Sequence, residues 1–129
     1  MEEGKVNRQS RVLAIDDDES ILDIVKTCLE AEGFAVETKN DPRDGVKWYA
    51  QRWAEVDLVL LDYMMPGMKG DEVFHHVRQV NPQAKVMMLS GSDAPVANLL
   101  LAQGLKGYIH KPFYLNQLVK RIRDAITSP

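Results

Sequence analysis

Five short apolar runs punctuate the chain: Val12-Leu-Ala-Ile15, Phe34-Ala-Val36, Val56-Asp-Leu-Val-Leu-Leu61, Val86-Met-Met-Leu89 and Tyr108-Ile109. Their starts lie about twenty to thirty residues apart, which suits a repeated strand–helix unit and is too long for hairpins. The first, third and fourth runs lack apolar–polar alternation over most of their length. A strand with one wet face alternates, whereas a strand covered on both faces of a parallel sheet does not. Parallel neighbours also need a crossover, usually a helix, between them.

Helical patterns fill the gaps. Ile21, Ile24, Val25, Cys28 and Leu29 fall at i, i+3, i+4, i+7 and i+8, one apolar stripe that Gly33 stops. Asn40-Asp41-Pro42 opens a second helix with a capping Asp and a first-turn Pro, although Gly45 lies inside it. Val73, Val77 and Val80 mark a third, which ends before Asn81-Pro82. Asp93-Ala-Pro95 starts a fourth that Gly104 closes, and Leu115, Leu118, Val119, Ile122 and Ile126 form the fifth. The order βαβαβαβαβα predicts an α/β, doubly wound, five-stranded parallel sheet, flavodoxin-like, with strand order 2-1-3-4-5.

A chain of 129 residues has room for one domain. The expected organisation is a flexible tail over 1–10 and a single domain over 11–127, with no second, effector domain. The net charge of -3 argues against a dedicated nucleic-acid binder. Cys28 is the one cysteine, so no internal disulfide can form and a reducing compartment is the natural reading. No apolar run approaches the ~20 residues of a membrane span, and the polar start, Met1 to Ser10, has no signal core. The expected location is the cytoplasm.

Polar residues follow the strands in a telling way. Asp16-Asp17-Asp18 comes after the first run, Asp62 after the third, Ser90 after the fourth and Lys111 after the fifth. In the 2-1-3-4-5 order these are all carboxyl ends, around the crevice that opens between strands 1 and 3. Crowded carboxylates raise one another's pKa unless a cation joins them, and a hard divalent ion such as Mg2+ resolves the repulsion. That leaves a carboxylate free to act, a Lys point charge and a hydroxyl donor, which together suit a carboxylate nucleophile accepting a phosphoryl group.

Asp62-Tyr-Met-Met-Pro66-Gly-Met-Lys-Gly70 after a buried strand and Lys111-Pro112-Phe113 after the last one add specificity. With Asp16-Asp17 and Ser90-Gly91, this set resembles the receiver domain of two-component response regulators, in the single-domain form of the chemotaxis regulators, from residue 11 to about 127. The resemblance implies that Asp62 is the phospho-accepting aspartate. It further implies that Asp17 ligates Mg2+ directly, Asp16 largely through water, and the Met64 backbone carbonyl completes the protein ligands. Ser90 matches the switch hydroxyl, Lys111 the motif lysine with an expected cis bond to Pro112, and Tyr108 the aromatic switch position.

The partners so implied are a sensor histidine kinase or phosphotransfer protein and a downstream protein target. A membrane and direct nucleic-acid contact are not expected. The switched surface lies on helix 4, strand 5 and helix 5, where the phosphorylated form binds a partner or forms a homodimer. Lys106-Gly107 departs from the acidic residues that many winged-helix DNA-binding regulators carry there. A receiver cut from a longer kinase or transcription factor would read the same.

The rival is a small haloacid-dehalogenase-type Mg2+-dependent phosphatase, because Leu13-Ala-Ile-Asp16-Asp-Asp18 also fits that family's Asp-x-Asp. Asp16 would then be the nucleophile and Asp18 the general acid. That reading leaves Asp62-x-x-x-Pro66 and Lys111-Pro112 unexplained. A receiver does not turn over a metabolite, whereas a phosphatase does.

Other residues carry simpler readings. Asp18 suits a helix cap, and Cys28 suits core packing. Adjacent His75 and His76 diverge by about 100° on a helix, a poor arrangement for sharing a metal. Met64, Met65, Met68, Met87 and Met88 read as packing, and Trp48 and Trp53 as cover for the sheet flank. From residue 105 onward five Lys/Arg face only Asp124, ordinarily a solvated face.

Overall fold

The computed structural model describes residues 9–91 and 96–129. The expected tail up to residue 8, and the expected helix start at Asp93-Ala-Pro95, lie outside the described residues. The strands are β1 (Arg11–Ile15), β2 (Ala35–Lys39), β3 (Leu58–Asp62), β4 (Val86–Ser90) and β5 (Gly107–His110). The helices are α1 (Glu19–Ala31), α2 (Pro42–Arg52), α3 (Gly70–Val80), α4 (Ala97–Ala102) and α5 (Leu115–Thr127). All strands pair in parallel in the order β2-β1-β3-β4-β5. This is the expected doubly wound fold.

Two apolar layers explain why the central strands do not alternate. Val12, Ala14, Leu58, Leu60, Met87 and Leu89 face α1 and α5, whereas Leu13, Ile15, Val59, Leu61, Val86 and Met88 face α2, α3 and α4. Both faces of β1, β3 and β4 are therefore buried, and their apolar residues alternate between the two layers. The edge strand β2 takes Glu37, Thr38 and Lys39, none of them fully buried.

The α1 stripe is shifted from the expected one. Leu22, Val25 and Leu29 are buried, Ile21 and Cys28 are partly covered, and Ile24 is 48% exposed. At 100° per residue Ile24 points roughly 130° away from the centre of the Leu22-Val25-Leu29 face. Phe74 joins Val73 and Val77 in the core of α3, and Ala125 rather than Ile126 completes the fully buried face of α5. Trp48 packs partly against the second layer as expected, but Trp53 opens a separate 3-10 turn and remains exposed. Met65, Met87 and Met88 are buried and Met68 partly so, whereas Met64 is 55% exposed. Among the described residues, no helix is long and apolar enough to cross a membrane.

Candidate functional site

Strand register brings the site together. Ile15 pairs with Leu61, so Asp16 and Asp62 leave their strands at the same level. Asp62 pairs with Leu89 and Ser90 with His110, which puts Ser90 and Lys111 one step beyond. Asp16, Asp62 and Ser90 are the only polar or charged side chains fully buried among the described residues. In a parallel sheet such burial is costly unless the groups have partners.

Lys111 supplies the pairing. Its Nζ lies 3.1 Å from Asp16 Oδ2 and 3.1 Å from Asp62 Oδ1, bridging the ends of β1 and β3. Its backbone N–H donates to the Ser90 carbonyl at 2.7 Å, and its bond to Pro112 is cis, as the motif led us to expect. The other Asp16 oxygen, Oδ1, accepts from the Asp18 N–H at 2.9 Å. Asp18 itself caps α1 by accepting from the Ser20 N–H at 2.9 Å, and it is exposed. The cap reading of Asp18 holds, and the general-acid role in the phosphatase alternative has no support from this placement.

One lysine cannot neutralise three acids. One carboxylate oxygen from each of Asp16, Asp17 and Asp62 lies within 4.8 Å of the others, with Asp17 exposed and the other two buried. Burial pushes the Asp62 carboxyl above its ordinary range and the charge of Asp16 adds to this, while Lys111 pulls it down. Asp16 is raised for the same first reason, with the Asp18 N–H and Lys111 opposing. Burial lowers Lys111, but Asp16 and Asp62 outweigh it and leave its pKa above the usual value. The surplus negative charge on all-oxygen donors fits a hard divalent cation. An octahedral Mg2+ with oxygens at ~2.1 Å spans about 3–4 Å between ligands, close to this cluster.

Gly70 is a site residue to which sequence reasoning gave no role beyond its place in the motif. A Cβ there would stand 2.8 Å from the Asp62 carbonyl oxygen and 2.8 Å from Tyr63 Cα. The Gly70 N–H donates to the Tyr63 carbonyl at 2.8 Å, so the start of α3 is pressed onto the backbone that carries Asp62. Gly70→Ala is expected to push that backbone aside and cost about 2 kcal/mol, as overpacking typically does. Urea unfolding would read the loss, and an unchanged midpoint would refute the close packing.

Ser90 is fully buried at the end of β4. Tyr108 on β5 is half-buried against the α2–α3–α4 layer, and its ring meets His110 edge-on at 5.3 Å. His75 and His76 are both exposed on α3, and His75 Nε2 shares a hydrogen bond with Gln103 Oε1 at 3.1 Å.

The Response regulator receiver domain model matches residues 12–123 of the chain. Among curated proteins, the chain is 34% identical over 119 residues to the uncharacterized transcriptional regulatory protein YkoG of Bacillus subtilis, covering 92% of this chain and 51% of that protein. It is 36% identical over 118 residues to the DNA-binding response regulator MtrA of Mycobacterium tuberculosis, covering 92% of this chain and 51% of MtrA. The chain thus spans about half the length of the curated relatives it matches. A receiver domain from Clostridium thermocellum superposes with a TM-score of 0.87 at 29% identity, covering 91% of this chain and 94% of that one. A CheY-like receiver from Methanospirillum hungatei gives a TM-score of 0.84 at 30% identity, with 92% and 94% covered.

Proposed function

The chain belongs to the response regulator receiver domain family, and we propose that Asp62 accepts a phosphoryl group from a phosphohistidine of a sensor kinase or phosphotransfer protein. The supporting observation is the Lys111 ammonium shared at 3.1 Å between Asp16 and Asp62, beside a three-carboxylate cluster. In the step, an Asp62 oxygen attacks phosphorus as the P–N bond to the donor histidine breaks. The bonding pair stays on the imidazole, which takes up a proton. An acyl phosphate on Asp62 results.

Asp16, Asp17, Asp62 and the Met64 carbonyl would hold Mg2+, which supplies a positive charge for the phosphoryl oxygens. Lys111 balances Asp62 before transfer and a phosphoryl oxygen after it. Ser90, buried at the neighbouring strand end, donates its hydroxyl to another oxygen. In such transfers positioning and charge neutralisation are the protein's main contribution. The domain acts as a signalling phosphoacceptor and undergoes no cycle on a metabolite. Its place of work is the cytoplasm, and its target is a protein rather than nucleic acid.

The output is a change in the α4–β5–α5 face. A phosphoryl group adds charge and acceptor oxygens that draw Ser90 inward, and Tyr108 turns into the space left behind. Beryllofluoride with Mg2+ should therefore shift NMR resonances of β5 in wild type and far less in Ser90→Ala. Equal spread in the two would rule out the relay.

Two measurements test the assignment of Asp62. Intact mass after incubation with acetyl phosphate and Mg2+ should show one added phosphoryl group, released by hydroxylamine and retained in stoichiometric amount. Catalytic phosphate release would favour the phosphatase instead. Asp17→Ala should keep its fold, because the side chain is exposed, yet lose Mg2+ affinity by at least about tenfold, the range seen when a metal's support is removed. Unchanged Mg2+ titration in that variant would remove Asp17 from the ligand set.

A further inference from the structure

Tyr108 carries the output of the relay from Ser90, and the ring that faces it belongs to His110. Side chains two residues apart on a strand share a face, so His110 rises on the same side of β5 as Tyr108, which packs on the α2–α3–α4 layer. The two rings meet edge-on, with centroids 5.3 Å apart and planes at 71°. Aromatic pairs favour this arrangement, positive edge toward negative face, over centroid distances of roughly 4.5–7 Å.

The strand beneath the rings is fixed. Tyr108 pairs with Met88 and His110 with Ser90 along β4. Past that last pair, the Lys111 N–H donates to the Ser90 carbonyl at 2.7 Å. With the backbone held on both sides of His110, a turn of Tyr108 is a side-chain rotation that leaves the ladder intact.

The same register sets what lies beside His110. Ser90 stands across the ladder from it and, two residues beyond Met88, on the same face of the sheet. The three side chains thus form a corner, with Tyr108 beside His110 along β5 and Ser90 beside His110 across the ladder. Space that Ser90 gives up when drawn to a phosphoryl group opens next to the imidazole. His110 is exposed. A ring that stands in water adds little to the core, so substitution there should spare the fold.

We propose that His110 sets the threshold of the switch: its ring stabilises Tyr108 in the present half-buried orientation, and the edge-on contact is lost when Tyr108 turns inward. The proposal rests on the reading of Ser90 and Tyr108 as the relay and adds the residue that regulates it. An aromatic pair of this kind shifts an equilibrium by about twofold to tenfold. The inward population of the unphosphorylated domain is smaller by that factor, and the apparent affinity for a phosphoryl mimic falls with it. Valine at this position would keep a β-branched residue on the strand and leave Tyr108 readier to turn.

The test uses the full chain with 3-fluorotyrosine in place of tyrosine, Tyr108 being assigned from Tyr108→Phe. Without metal or mimic, the Tyr108 fluorine in His110→Val should become less exposed, read as a smaller isotope shift between H2O and D2O. His110→Phe restores an edge-on ring and should behave as wild type. With Mg2+ present, beryllofluoride should bind His110→Val about twofold to tenfold more tightly than wild type, and His110→Phe equally well. A substitution that merely weakened the fold would lower Tm without tightening the binding. In Ser90→Ala the gain from His110→Val should vanish, because the mimic no longer reaches Tyr108. Unchanged fluorine exposure in His110→Val would overturn the proposal, as would unchanged or weaker binding, or failure of His110→Phe to restore wild-type behaviour. A gain that persists in Ser90→Ala bypasses the relay and would overturn it equally. Reduced fluorine exposure in His110→Val, with beryllofluoride binding to none of the proteins, would uphold the hold of His110 on Tyr108 and refute Asp62 as the acceptor. The two readings thus fail separately.

Discussion

Asp62→Asn is expected to abolish phosphoryl uptake, leaving no mass gain after acetyl phosphate and Mg2+ where the wild type shows one. The carboxamide has no anionic oxygen to attack phosphorus, so the loss should be complete within detection rather than partial. Residual phosphate on Asp16 in this variant would instead support the Asp-x-Asp phosphatase. A second effect runs in the opposite direction. Asp62 is buried beside Asp16, and both carboxyls sit above their ordinary pKa because burial opposes their charge. Replacing one with a neutral amide relieves that repulsion and leaves Lys111 its bond to Asp16. Without metal, Asp62→Asn should be more stable than wild type by about 1 kcal/mol, a modest gain consistent with removing a crowded like charge. A variant that loses activity and gains stability separates a functional carboxylate from a structural one.

Most of this architecture was legible because it is written in periodicity. Runs without alternation announced strands covered on both faces, and the two apolar layers supply that cover. The doubly wound order is expected from the repeated strand–helix unit, and the register seen in the structure carries Asp16, Asp62, Ser90 and Lys111 to one edge. Residues that depend on three-dimensional proximity were harder to see. Gly45 weakened the pattern of α2, yet a Cβ there would stand 2.5 Å from Ile15 Cδ1, so its absence lets the helix sit close on β1. Helix propensity measures the cost of that glycine and is blind to the packing it permits. Gly70 is similar, since its neighbour is a backbone carbonyl that no sequence window reveals. Ile24 looked like core because a stripe defined by spacing does not say where its centre lies.

Lys111→Met should destabilise the metal-free protein at neutral pH, and the size of the loss should depend on pH. The substitution keeps much of the side-chain bulk and removes the charge held 3.1 Å from both Asp16 and Asp62. Breaking a fully buried pair costs about 3–5 kcal/mol. The lysine side chain is 23% exposed, so water screens part of this, and about 2 kcal/mol is the expected loss at pH 7. That corresponds to about 8 °C in Tm for a domain of this size. A carboxyl whose folded pKa is raised holds its proton more tightly when folded. Its favourable contribution is therefore complete below the ordinary value of 3.8 and is lost as pH rises through the folded value. Without Lys111 both carboxyls should rise further. The gap between variant and wild type should then be small near pH 3, widen as the carboxylates ionise, and level off once both are charged. Millimolar Mg2+ should narrow it again by replacing the missing cation, and so should a second substitution, Asp62→Asn. If the gap is the same at low and neutral pH, Lys111 contributes packing alone, and its role as the counter-charge of the pair is refuted.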